Sequence, residues 1–180
     1  MIPYKRIDRQ LRQKGQIIDI YQDTIELPDG QMRKWDFIMH KGAAAIIPMD
    51  EDGKIIMVRQ YRNAIDSYTL EIPAGGLNPG EDMKACAIRE CEEETGYRAL
   101  DAVHLIDVNT TVAFCNEKIG IYFTRDLVPA KQNLDEGEYV TIERYTLDEL
   151  LAKIYAGDIT DAKTISGLTT LKLRLLEQTI

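Results

Sequence analysis

The segment Arg89-Glu90-Cys91-Glu92-Glu93-Glu94 gathers carboxylates at a spacing that matters if the chain is helical there. Each helical residue turns by about 100°, so Glu90 and Glu94 stack one turn apart, with Glu93 beside them. Like charges so placed destabilise a helix, and burying them costs more unless something positive arrives. Met83, Ala87 and Cys91 border this acidic edge, so partial burial is expected. A hard divalent cation resolves the conflict. Mg²⁺ accepts oxygen ligands and keeps positions open for water and phosphate oxygens. Arg89 can reach Glu93 at i,i+4 and orient it. The plain alternative is a solvated acidic helix face. The neighbouring segments decide between the two.

The element carrying these residues is expected to run from about Met83 to Thr95, with Asp82 as N-cap and Gly96 as stop. Before it, β-rich stretches are Ile17–Tyr21, Thr24–Leu27, Gln31–His40, Gly42–Met49, Lys54–Tyr61 and Tyr68–Ile72. Pro28-Asp29-Gly30 and Asp50-Glu51-Asp52-Gly53 are turns between them. Residues 1–15 are polar and expected to be helical or loose. Later strands are expected near Val103–Thr111, Ile119–Thr124 and Tyr139–Tyr145. Thr146 and Glu149 form a capping box for a helix ending at Gly157, and a last helix runs from about Asp161 to Glu177. The order is not strictly alternating, so the class is α+β.

The flanks of the acidic helix complete a longer pattern. Gly75, Glu81, Arg89-Glu90, an apolar position at Cys91, Glu93-Glu94, Gly96 and a second apolar position at Tyr97 resemble the Nudix box, position for position. Cys and Tyr depart mildly from the usual aliphatic residues, and Cys packs as a small hydrophobe. Val58-Arg59-Gln60-Tyr61-Arg62, Leu70-Glu71-Ile72-Pro73-Ala74-Gly75 and Asp161-Ala162-Lys163-Thr164 are similar to the ADP-ribose pyrophosphatase branch of that family. The resemblance implies a Nudix α/β/α sandwich over residues 43–180. It also implies an N-terminal antiparallel β unit over residues 1–42, of the kind that builds a homodimer.

The resemblance further implies metal ligands for Mg²⁺ or Mn²⁺ at Glu90, Glu94 and the Ala74 carbonyl, with Glu93 sharing or supporting the site. Gly75 lets the backbone approach, and Glu81 and Arg89 brace the loop and helix. The implied reaction is attack of water on one phosphorus of a nucleoside diphosphate derivative, ADP-ribose or another sugar nucleotide such as GDP-mannose. In Leu134-Asp135-Glu136-Gly137-Glu138, Glu136 is the favoured base and Glu138 an extra ligand, with Glu117 a second candidate base. Arg59 and Arg62 are candidates for phosphate or sugar binding, against surface ion pairs. Trp35 is expected in the core rather than stacked on a base. His40 and His104 carry no motif. The stretch Thr111–Glu117 lacks the proline that the ADP-ribose branch usually has near Ala113, which opens the substrate to other sugar nucleotides.

The formal charge of -8 argues against nucleic-acid partners, which need clustered cations. A chain this acidic can still take an anionic substrate if a metal supplies local positive charge. The longest apolar run, Ala43–Met49 with Pro48 inside it, is far short of the roughly 20 residues of a membrane span. Cys86, Cys91 and Cys115 are expected as reduced thiols, consistent with a cytoplasmic protein. A ligand-sensing module that has lost catalysis would show eroded carboxylates, whereas here the box is intact.

Overall fold

The computed structural model describes residues 3–15 and 18–180, so Ile17 of the first expected strand lies outside the described residues. The chain divides into two compact units, Met1–Gly42 with Asn109–Lys118, and Ala43–Val108 with Ile119–Ile180.

The first unit is a three-stranded antiparallel sheet of β1 (Lys5–Lys14), β2 (Asp19–Glu26) and β3 (Met32–Met39), in that order. Residues 5–14 are therefore strand, contrary to the helical or loose expectation. Their polar composition hid the pairing, because most of their side chains face solvent. Long-range contacts hold the strand instead. Arg9 donates through Nε and Nη2 to the two oxygens of Asp23, each at 2.6 Å, and its guanidinium lies 3.5 Å over the Phe37 ring. The two stretches read around Asp23 are one continuous strand, β2. Gly30 turns at φ 83°, a conformation that suits glycine, and the chain returns as β3. The segment 109–118 joins the end of β3. Ile38 N–H donates to the Phe114 carbonyl at 2.7 Å, and the Asn116 side chain bonds both backbone groups of His40.

The second unit is built on β4 (Ala43–Pro48), which is buried along its whole length. It pairs in parallel with β10 (Lys118–Thr124) and antiparallel with β7 (Ala74–Gly76), and β9 (Val103–Asn109) completes this four-stranded sheet. A second antiparallel sheet orders β12 (Val140–Tyr145), β5 (Ile55–Arg62) and β6 (Ser67–Glu71). Two short strands, β8 (Tyr97–Ala99) and β11 (Leu127–Pro129), pair separately. Strand alternation explains the layers. Ala43, Ala45 and Ile47 face a core shared with Leu150, Leu168 and Leu171 from α2 (Leu147–Ala156) and α3 (Ala162–Leu176). Ala44 and Ile46 face the opposite way, against Cys86, Ala87 and Cys91 of α1 (Met83–Thr95). Helices thus cover both faces of β4, the α/β/α arrangement expected for an α+β chain.

Local signals set the helix ends as read. Asp82 accepts from Ala85 N–H at 2.9 Å, and Gly96 closes α1 at φ 72° with its N–H on the Glu92 carbonyl. The Thr146–Glu149 capping box and Gly157 bound α2, and Asp161 caps α3. Strands β7, β8 and β11 had no sequence signal, since three residues are too few for periodicity to register.

Leu168 is fully buried between α3 and β4. Leu168→Ala is expected to destabilise the protein by about 2–5 kcal/mol through lost burial and a residual cavity. A fall in the urea midpoint at unchanged m-value checks this, and an unchanged midpoint would contradict the core assignment.

Candidate active site on the acidic helix

One side of α1 packs in the core through Cys86, Ala87 and Cys91, and the next side carries the glutamates. This explains why Glu94 is only 1% exposed. Its Oε2 accepts from Ala74 N–H at 3.2 Å, which ties the helix to β7. Burial pushes its carboxyl up to about 8, with the charges of Glu90 and Glu138 adding to the effect. Glu90 is also raised, first by burial, while Arg89 opposes the shift. Gly75 stands directly against Glu90: a Cβ at that position would collide with the carboxylate. The Cys86 thiol lies 3.5 Å from the carbonyls of Gly75 and Gly76, and burial pushes it up to about 12, so it packs as an uncharged group.

Arg89 organises the loop before the helix. It donates to Glu81 at 2.8 and 3.0 Å, to the Gly76 carbonyl at 3.0 Å, to Glu90 at 2.6 Å and to Glu93 at 2.7 Å. Glu81 in turn accepts from Asn78 N–H at 2.9 Å, and the Arg89 guanidinium holds its carboxyl down at about 2. Gly76, Glu81, Arg89, Glu90 and Glu93 are thus one bonded loop–helix assembly, closed at the far end by Gly96. There the segment after β11 covers the helix terminus: Gln132 donates to the Glu94 carbonyl at 2.7 Å and Asn133 N–H to the Glu93 carbonyl at 2.9 Å. Sequence reasoning missed both residues, which lie 38 and 40 positions from their partners.

Among the described residues, no three His, Cys, Asp or Glu side chains converge as a closed ligand set. Arg89 occupies an oxygen of Glu90 and one of Glu93. The donor chemistry nonetheless suits a divalent cation. A buried and a half-buried carboxylate repel each other, a third raises both, and a glycine leaves room at one of them.

The loop carboxylates separate in environment. Glu138 is half-buried, its charge reaches both Glu90 and Glu94, and its Oε2 accepts from Asp135 N–H at 3.2 Å. Glu136 sits exposed in the turn before it. Glu117 is engaged by Thr110 at 2.6 Å and His40 at 3.5 Å. The two arginines separate as well, because positions 59 and 62 fall on opposite faces of β5. Arg59 is ion-paired with Glu143, a residue of β12. Arg62 donates through Nε and Nη2 to Glu71 at 2.7 and 2.6 Å, and Lys163 also bonds Glu71. Glu71 was not singled out for a role in the sequence. Its signal was a charged residue between the apolar Leu70 and Ile72. Trp35 is 40% exposed, not core. It meets the Tyr4 ring edge-on at 5.2 Å and lines a cavity of about 740 Å³ with Ile20, Ile38 and Phe114.

The NUDIX domain matches residues 39–166 of this sequence. The chain belongs to the Nudix hydrolase family. The ADP-ribose pyrophosphatase of Bacillus subtilis (strain 168) is 35% identical over 172 residues, covering 94% of this chain and 93% of that protein. The methanol dehydrogenase activator of Bacillus methanolicus is 40% identical over 163 residues, covering 89% and 88%. The crystal structure of an ADP compounds hydrolase matches 99% of this chain and 97% of its own with a TM-score of 0.87, at 22% identity, which is a likeness of fold. Within the family, these likenesses lie with the ADP-ribose pyrophosphatase-like branch. Nudix hydrolases depend on a divalent metal. Among the described residues no helix is long and apolar enough to cross a membrane.

The raised Glu94 carboxyl has a measurable sign. Folded, it keeps its proton up to about 8, whereas the ordinary value is 4.5. Between those values the folded state binds the extra proton, so stability falls as pH rises through that window. The melting temperature of the metal-free protein is expected to drop by a few degrees across it relative to Glu94→Gln, and divalent cation is expected to remove the difference. Parallel pH profiles for parent and variant would refute the buried-charge account.

Proposed function

We propose that this protein hydrolyses the diphosphate bond of a nucleoside diphosphate sugar, with ADP-ribose as the first choice, yielding AMP and ribose 5-phosphate. The observation that carries the reading is the mutually repelling pair of the buried Glu94 and the half-buried Glu90 beside Gly75, with Glu138 adding a third carboxylate. In this reading Glu90, Glu94 and the Ala74 carbonyl hold Mg²⁺ or Mn²⁺, with Glu93 and Glu138 contributing. A cation held there would offset charge on the phosphoryl oxygens and acidify a water. Arg62 binds diphosphate oxygens through charge-assisted bonds. Glu138 takes the proton of the water that attacks one phosphorus, and the bridging oxygen leaves with the other phosphate. We assign the base to Glu138 rather than to the exposed Glu136, since a base must reach the reacting water. Arg59, committed to Glu143 on the other face of β5, is left out of the site.

The missing proline near Ala113 favours a wider substrate range, including GDP-mannose. The relative named as a methanol dehydrogenase activator favours a second reading, in which the chain acts on a dehydrogenase. One panel separates these. ADP-ribose, GDP-mannose, UDP-glucose, NADH and diadenosine polyphosphates are incubated with Mg²⁺, Mn²⁺ or EDTA, beside a methanol dehydrogenase assay with and without the protein. Metal-dependent cleavage of ADP-ribose above the rest is expected, with Glu138→Gln lowering kcat by about 100-fold or more and Glu136→Gln far less. The reverse order of the two variants would move the base to Glu136. Activation of the dehydrogenase without cleavage would favour the second reading.

We further propose a homodimer built through residues before Gly42. A three-stranded sheet is marginal alone, and this one leaves Ile7, Leu11, Met32 and Trp35 exposed. Sedimentation at micromolar concentration is expected to give a dimer, and a monomer would overturn the assignment.

A further inference from the structure

Alternation along β5 sends Val58, Gln60 and Arg62 to one face of the sheet. Val58 is fully buried and Arg62 opens to solvent, so Gln60 stands where that face passes from core to surface. Gln60 is 8% exposed. A glutamine amide carries two donors and an acceptor, and burying it without partners is unfavourable. Among the described residues nothing hydrogen-bonds this amide. The Thr69 hydroxyl reaches only the backbone carbonyl of Gln60, at 3.4 Å. Every fully enclosed side-chain nitrogen or oxygen among the described residues does have a partner. The small part of Gln60 that solvent reaches therefore includes its amide, which lies at the floor of an opening.

The neighbours of Gln60 place that opening. Strand β5 is central in its sheet, so Gln60 lies between Thr69 of β6 and Val140 of β12. Thr69 does not serve the amide, because its hydroxyl is given to Glu71. Glu71 in turn accepts from Arg62 and Lys163, so the polar side chains on this flank are committed to one another. Three residues past Glu71 the same chain reaches Ala74, whose N–H bonds Glu94 at 3.2 Å. On the other flank stands the apolar Val140, which opens β12 two residues after Glu138. Both strands beside Gln60 thus lead directly to residues of the carboxylate site. Arg62 is two residues along β5 from Gln60, a step of roughly 6–7 Å on the same face. Glu71 grips Arg62 by its Nε and Nη2 edge, and among the described residues Nη1 has no hydrogen-bond partner. The guanidinium therefore keeps an outer edge for an anion beside the unpaired amide.

We propose that Gln60 is a specificity-determining residue whose amide hydrogen-bonds a sugar hydroxyl next to the diphosphate. This rests on the hydrolase reading above, in which Arg62 and the cation meet the phosphate oxygens. The chemistry of the amide selects the group. Ionised phosphate oxygens only accept, and they are served by positive charge. A hydroxyl both donates and accepts, as the amide does, and calls for no charge. The single strand step from Arg62 to Gln60 suits the distance from a phosphate to the hydroxyls of the sugar it carries. A buried amide left unpaired until substrate arrives discriminates strongly against a compound that lacks the hydroxyl.

The test measures kcat/KM of the parent and Gln60→Met on three compounds. They are ADP-ribose, ADP methyl ester, which lacks the terminal sugar, and ADP-ribose without the two hydroxyls of its adenosine. Methionine is unbranched like glutamine and drops the amide. Gln60→Met is expected to lose about tenfold or more on ADP-ribose and to stay within about twofold of the parent on one of the two analogues. That analogue names the sugar that Gln60 reads. The urea midpoint of Gln60→Met is expected to hold or rise, since methionine needs no hydrogen bond where Gln60 has none. An equal loss on all three compounds with a lowered midpoint marks a structural glutamine and overturns the proposal. An equal loss at an unchanged midpoint gives the amide to the diphosphate itself and overturns it too, as does a variant that cleaves ADP-ribose like the parent. If Gln60→Met does not fold, Gln60→Leu takes its place with the same expectations. A parent that cleaves none of the three overturns the hydrolase reading alone. Calorimetric binding of the same compounds then decides this one, with a preference for ADP-ribose expected in the parent and lost in Gln60→Met. A parent that neither cleaves nor binds them overturns both.

Discussion

A carboxyl group buried at the border of a hydrophobic core, where burial resists its ionisation, is the constraint to which the rest of this structure answers. Glu94 lies in the same helix as Cys86, Ala87 and Cys91, and the helix cannot bury the thiols without drawing in the glutamate. Every neighbouring feature is arranged around that burden. Ala74 N–H bonds the carboxylate, Gly75 clears space for Glu90, and Arg89 spans loop and helix to balance three further carboxylates. A carboxylate excess of this kind is unfavourable in an empty protein and favourable in one that meets a hard cation. Stability and binding therefore pull on the same residues in opposite directions.

The arginines illustrate how much context decides. Arg59 and Arg62 are three positions apart in one motif, equally plausible as anion binders when read along the chain. Strand alternation sends them to opposite faces, and each finds a carboxylate there, Glu143 or Glu71. Arg62 then lies within the field of Glu94. Arg89 is committed to five oxygens on four residues inside the loop–helix assembly, which fits a bracing role better than a substrate contact.

The acidic helix, its caps, the capping box of α2 and the long apolar strands were legible because their signals are local. Helical spacing, a capping aspartate and a terminal glycine act over a few residues. The features that stayed hidden are paired across the chain. Strand β1 is polar and takes its conformation from β2. Glu71 and Lys163 are separated by 92 positions, and Gln132 reaches a helix end formed 38 positions earlier. Trp35 was read into the core because an aromatic in a strand usually packs, yet its unit is a single sheet with too little matter to enclose it. The different surroundings of Glu138, half-buried, and Glu136, exposed, are likewise not revealed by two loop glutamates two positions apart.

The first unit is discontinuous: its sheet comes from the opening residues, but Asn109–Lys118 belongs to it as well. During synthesis the three strands emerge before that segment, and the backbone groups of Ile38 and His40 then wait for Phe114 and Asn116. Chains grow at roughly 5–20 residues per second, so this unit stays unfinished for some seconds while the β4–α1 region emerges. The completion of one unit thus waits on the stretch of the other that lies between its two segments.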